Sequence, residues 1–239
     1  RRTDKLAIDY ADEDDIVIDD QDEILWRLRA LCGLKNTLNS SIIAVGGPSG
    51  WGTGYRNEIK QMTESSYKMN IITVPYEELG NLIKEARSDK RVISQTKESA
   101  ERYLADPGIK LETRREFVDN AFILEDVFHR LMTRMECRAI TINGCMSTIM
   151  PLAETTACMT LSLLNDAGYL AFCESDFVVI PGGILLANIS GKPVFLNDPT
   201  FPHNGLNTLA HCTAPRRMDG QKLEPARIVT HFESDYGAA

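Results

Sequence analysis

Short runs rich in β-branched and apolar residues alternate along the chain with stretches of helical periodicity. SIIAVGG, MNIITVPY, AITINGC and YLAFC each end in glycine, proline or a polar residue, and each is followed by a helix-prone segment. Runs of that length, apolar on both faces, suit strands buried inside a sheet. Strands joined through helices must run parallel, because each crossover returns the chain to the same edge. The expected fold class is therefore α/β: a largely parallel sheet with helices on both faces. In such sheets ligands gather beyond the carboxyl ends of the strands.

The helical segments can be placed individually. Residues 22 to 38 read as a helix with Ile24, Leu25, Leu28, Leu31 and Leu34 on one face and charges opposite. From Tyr76 to about Ala105 the pattern is helical and polar, ending at Asp106-Pro107-Gly108. A long helix is expected over 113 to 136, and another from Glu154 to Asp166, stopped by Gly168. Pro181 suits the first turn of a further helix that Gly191 ends. PVFLN, TLAHC and ARIVTHF complete the expected strands.

Of the 239 residues, 43% are hydrophobic and 25% charged, ordinary for a globular chain able to build a sizeable core. A net charge of −8 argues against a nucleic-acid partner, which needs a concentrated basic surface. Apolar runs such as FVVI and ILLA are too short to span a bilayer. The acidic run YADEDDIVIDDQDE reads as a solvated surface segment. No charged-then-apolar leader opens the chain. None of the six cysteines forms a C-x-x-C pair, and most lie in apolar segments. They are expected to be reduced and buried, in a cytoplasmic protein, without a paired-thiolate zinc site.

Three residues stand out for chemistry. Glu174 in YLAFCESDF and Asp198 in KPVFLNDPTF each follow an apolar run, and His211 comes soon after in TLAHCTAP. Carboxylate oxygens suit hard divalent cations, and an imidazole moves the preference toward transition metals. The same carboxylates also fit a local role as caps of the turns in ESD and NDPT, with Asp176 an alternative cap. His211 fits either a ligand or a satisfied structural histidine. His203 sits in FPHNG, a loop that can face a substrate. His129 is expected to pack on its helix. GGPSGWGTG has neither dinucleotide-binding nor phosphate-loop spacing and reads as a tight turn or substrate loop. Trp51 within it suits stacking on a sugar ring, or a core anchor.

Beyond these patterns, DEILWRLRALCGLKNTLNSSIIAVGGPSGW resembles the middle region of L-fucose isomerase-like proteins. TACMTLSLLNDAGYLAFCESDF, SGKPVFLNDPTF and LAHCTAPRRMDG are similar to the metal-site region of the L-fucose and L-arabinose isomerase superfamily. The resemblance runs from about residue 22 to 239, and the block from 155 to 215 is its specific part. It implies a fragment of a multi-domain sugar isomerase-like protein. Residues 1–40 would be an acidic segment and linking helix, 41–225 the α/β domain with the metal-site carboxylates, and 226–239 the start of a C-terminal β-rich domain.

That resemblance implies Mn²⁺, or another divalent metal, held by Glu174 and Asp198, with a further histidine from the C-terminal domain. His211 is similar to a histidine near the metal in the arabinose branch. The implied reaction interconverts aldose and ketose through an enediol, on a free monosaccharide, with Glu174 and Asp198 moving protons. It also implies a homo-oligomer. A non-catalytic sugar-binding or regulatory protein on the same fold is the rival reading.

Overall fold

A computed structural model describes residues 16–50, 56–198 and 200–239. Its main sheet has four parallel strands: β1 (Ser41–Val45), β2 (Asn70–Val74), β4 (Ala139–Ile142) and β5 (Leu170–Phe172), in the order β2-β1-β4-β5. The two central strands carry the most continuous apolar sequence. Ile42 through Val45 and all four residues of β4 are buried, as strands covered on both faces require. The edge strand β2 is covered less completely, burying Ile71 and Val74 while Asn70 and Thr73 are exposed. The α/β class expected from the alternation is the one observed.

The helices are α1 (Gln21–Thr37), α2 (Arg56–Ser66), α3 (Tyr76–Ser88), α4 (Lys90–Leu104), α5 (Arg115–Arg134), α6 (Met150–Ala153), α7 (Cys158–Asp166) and α8 (Ile180–Ser190). The chain moves outward from β1 to β2, then crosses back to β4 and on to β5. Right-handed crossovers place the helices before and after that reversal on opposite faces. The helices after the reversal, α3, α4, α5 and α7, pack among themselves, while α8, which follows the last strand of the sheet, packs on α1. Among the described residues, no helix is long and apolar enough to cross a membrane.

Several local expectations need correction. The apolar face of α1 is not buried: Ile24, Leu25, Leu28, Leu31 and Leu34 are all exposed. The helix docks through small residues instead. A Cβ on Gly33 would lie 2.4 Å from Ile189 Cγ1 and 3.1 Å from its Cα, and Asn188 Nδ2 donates to Thr37 Oγ1 at 3.0 Å. The continuous helix of 76–105 is broken at Asp89, whose carboxylate accepts from the amides of Arg91 and Val92 and caps α4. α7 starts at Cys158 rather than Glu154, because Glu154 adopts a left-handed conformation (φ 52°) that ends α6. A π turn over Cys145–Ile149 precedes α6.

PVFLN and TLAHC are not sheet strands. Val194 and Leu196 reach the core as side chains, while Asp198 and Ala210 meet in a single antiparallel bridge. ARIVTHF supplies β6 (Ala226–Ile228), which pairs with β3 (Ile109–Leu111) in a separate two-stranded sheet. After β6 the chain folds onto the start of α7. Thr155 Oγ1 accepts from Ala238 N, and Thr156 Oγ1 donates to Ala238 O at 3.0 Å.

Candidate functional site

The strand order reverses between β1 and β4, so the first place to look is beyond their carboxyl ends. That crevice is filled by Tyr76, whose hydroxyl donates to Asn143 O at 2.8 Å. A Cβ on Gly46 would lie 2.2 Å from that oxygen, and Gly46 also has φ +78°, so only glycine serves there. The open chemistry is displaced one strand along, to the end of β5.

Glu174 stands just past β5 in a tight reversal. Both Glu174 (φ 64°) and Ser175 (φ 49°) are left-handed, a conformation costing a non-glycine residue about 1 kcal/mol or more. The surroundings hold the reversal in place. Ser175 N donates to Thr141 Oγ1 at 3.1 Å, Ser49 N donates to Ser175 O at 2.9 Å, and Phe177 N donates to Ser49 O at 2.9 Å. Asp176 takes the capping role, accepting from Val178 N at 3.0 Å, which leaves Glu174 free of it.

Asp198 arrives by a different route. Its amide donates to Ala210 O at 3.0 Å, and residues 201–210 make an exposed excursion. The return brings His211 to the same place. Glu174, Asp198 and His211 thereby offer ligand atoms that all lie within 4.8 Å of one another. His211 Nε2 is 4.0 Å from Glu174 Oε1, and its Nδ1 is 3.1 Å from Thr213 Oγ1. With Nδ1–H donating to Thr213, Nε2 presents its lone pair on the Glu174 side.

The electrostatics favour a cation. Burial pushes the Glu174 carboxyl above its usual value; His211 opposes the shift, and Asp198, Cys212 and Asp176 add to it. Burial alone would lower His211. The hydrogen bond with Cys212 and the charges of Cys212, Asp198 and Glu174 outweigh it and raise the imidazole. The Glu174 side chain is 36% exposed and Asp198 is exposed, so the group opens to solvent on one side. Two carboxylates and an imidazole with an open side fit a hard or borderline divalent ion such as Mn²⁺.

The other expected residues lie elsewhere. His203 sits at an exposed turn with Nδ1 3.1 Å from Phe201 O, outside the group. His129 packs edge-on against Tyr169 at 4.9 Å. Trp51 lies outside the described residues. A cavity of about 860 Å³, lined by Ser41, Ala139, Leu170, Lys192 and Arg217, opens at the amino ends of the strands, opposite the carboxylates.

All six cysteines are free, and Cys137, Cys145, Cys158 and Cys173 are buried as expected, while Cys212 is partly buried. Cys32 is exposed. Cys158 and Cys212 bring their sulfurs to 3.0 Å, and His231 joins them with all three ligand atoms within 4.8 Å of one another. Cys145 interacts with Cys158 and Cys173. Of the touching pair Cys212 ionises first, lowered to about 5 by the hydrogen bond with Cys158 and then by His211. No C-x-x-C spacing announces this cluster. The available signal was positional: Cys145 and Cys173 each follow a parallel strand, and ends of neighbouring parallel strands lie together.

No protein-family model matches the chain, and no curated protein matches its sequence.

Proposed function

We propose that this chain carries the metal-binding part of an aldose–ketose isomerase acting on a free monosaccharide, of the L-fucose or L-arabinose isomerase kind. The observation that carries the reading is the convergence of Glu174, Asp198 and His211 from separate segments. The resemblance of CESDF and FLNDPTF to that superfamily's metal-site region supports it from the sequence side.

Glu174, Asp198 and His211 would hold a divalent ion of the Mn²⁺ class. The ion supplies Lewis-acid stabilisation of the negative charge that develops on the sugar oxygens when a carbon-bound proton leaves. Glu174 and Asp198 are the proton carriers: one takes the proton from the carbon next to the carbonyl, and the other returns one to the neighbouring carbon. Thr213 holds the His211 ring, and the clamped reversal at Ser175 holds the backbone that carries Glu174. Exposure of Asp198 leaves a side open for an open-chain sugar.

The same resemblance supports a homo-oligomer, and the free cysteines suit a reducing, cytoplasmic setting. A panel of aldoses assayed with and without Mn²⁺ tests the proposal. Ketose formation that requires Mn²⁺ supports it. Sugar binding without turnover points to the rival reading, a sugar-binding protein. No response to any aldose contradicts both.

A further inference from the structure

The carboxylate group uses oxygen and one imidazole. Immediately behind it lies a donor set of different character. Cys158 is wholly buried, His231 is 5% exposed and Cys212 is partly buried. Their ligand atoms are mutually within 4.8 Å, and a third thiol, Cys145, borders the group through Cys158. These residues come from four separate places: the π turn after β4, the first residue of α7, the loop after His211, and the turn after β6. The C-terminal segment is pinned to α7 by the bonds between Ala238 and Thr155 and Thr156, which fixes His231 beside Cys158.

From this convergence we propose that Cys158, Cys212 and His231 form a second metal site, largely buried and thiolate-rich, that takes a thiophilic divalent ion of the zinc class.

Cys158 donates its thiol hydrogen to Cys212 Sγ across 3.0 Å. Tetrahedral zinc–sulfur bonds of about 2.3 Å hold two sulfurs roughly 3.8 Å apart, so the pair would open by less than 1 Å. A disulfide, at about 2.05 Å, would close it by a similar amount. The surroundings decide between them. A disulfide needs only its two sulfurs, whereas here the His231 imidazole lies with the pair, the mixed donor set of cysteine–histidine sites. His231 Nδ1 accepts a long hydrogen bond from Glu233 N at 3.3 Å, weak enough to exchange for a metal–nitrogen bond. Soft sulfur donors and hard carboxylates select different ions.

Binding releases the thiol protons to solvent as the metal–sulfur bonds form, with no change of oxidation state. The site would tie α7 and the C-terminal turn to the loop carrying His211. It does not depend on the sugar chemistry proposed above.

Cobalt(II) added to the full chain under reductant is the probe, because thiolate ligation gives a sulfur-to-cobalt charge-transfer band in the near ultraviolet. The expected result is one tightly held cobalt with that band, displaced by one equivalent of zinc. The band disappears in Cys212→Ser and weakens in His231→Gln, and it persists in the double variant Glu174→Gln, Asp198→Asn. Cys158→Ser puts a hydroxyl in a dry core, so the partly buried Cys212 carries the test, with circular dichroism confirming its fold. Absence of the band, or its survival in Cys212→Ser, overturns the proposal. So does recovery of Cys158 joined to Cys212 as a disulfide from chain isolated without reductant.

Discussion

One peptide bond, between His211 and Cys212, separates two groups of side chains that differ in most properties governing metal chemistry. On one side are two carboxylates and an imidazole, with Asp198 exposed and Glu174 about one-third open to solvent. On the other are thiols and an imidazole, largely buried. An open oxygen-rich group can admit a substrate beside its ion, whereas a largely buried sulfur-rich group can only hold one. The return at Ala210 therefore supplies each group with a ligand from adjacent positions, His211 to the carboxylates and Cys212 to the thiols, with Cys212 Sγ 3.6 Å from His211 Nδ1 where the two groups meet.

The comparison can be broken most forcefully at the carboxylates. If the proposed isomerase reading holds, Glu174→Gln and Asp198→Asn should each reduce isomerisation by roughly 10²-fold or more, since each would remove a ligand and a proton carrier together. Thermal unfolding and the thiol group's cobalt band should be unchanged. Near-full turnover in either variant would take that residue out of the mechanism.

A subtler change should separate the groups without touching a ligand. Thr213→Val removes the partner that sets the His211 tautomer, and should weaken Mn²⁺ about 10- to 100-fold while leaving zinc-class binding intact. Calorimetric titration with each metal reads both effects. Equal losses at the two groups would mean that Thr213 merely supports the loop.

Next in size is the effect of pH. Glu174 and His211 both sit above their ordinary values, so protons compete with a metal more strongly at each than at a free carboxyl or imidazole. Mn²⁺ affinity should fall as pH drops through those raised values, by up to about tenfold per unit for each proton displaced. In the metal-free chain the sign reverses. Both groups hold their protons more tightly folded than unfolded, so their contribution to stability is present below the unfolded values and lost as pH rises through the folded ones. Melting curves across that window, with and without Mn²⁺, should diverge as pH increases. Parallel curves would contradict the placement of these groups.

The smallest effect belongs to the plugged crevice. Tyr76→Phe deletes the hydrogen bond to Asn143 O and should cost about 1 kcal/mol of stability, leaving both metal affinities as they were. A loss of Mn²⁺ binding there would move the site back toward the β1/β4 switch point.

Periodicity and composition made the central sheet legible, because β1, β2, β4 and β5 are local apolar runs whose neighbours follow from parallel connection. Glu174 and Asp198 were legible for a related reason, as charges set at the ends of such runs. PVFLN misled because its apolar residues face the core without joining a ladder, and strand composition cannot tell those apart. The apolar stripe of α1 misled in the opposite sense, since Gly33 and Thr37 set the contact with α8. The thiol group was illegible because Cys145, Cys158, Cys212 and His231 meet only after the sheet, α7 and the C-terminal turn are in place. His231 in particular owes its position to Ala238 docking on Thr155 and Thr156.

Paramagnetic titration of the chain with Mn²⁺ tests the central claim most directly. Free Mn²⁺ gives a sharp signal that ligation broadens away. The expected outcome is one ion bound per chain at pH 8, with binding lost in Glu174→Gln and in Asp198→Asn and retained in Cys212→Ser. Undiminished free Mn²⁺ signal in the unaltered chain, or equal binding by the carboxylate variants, would contradict it.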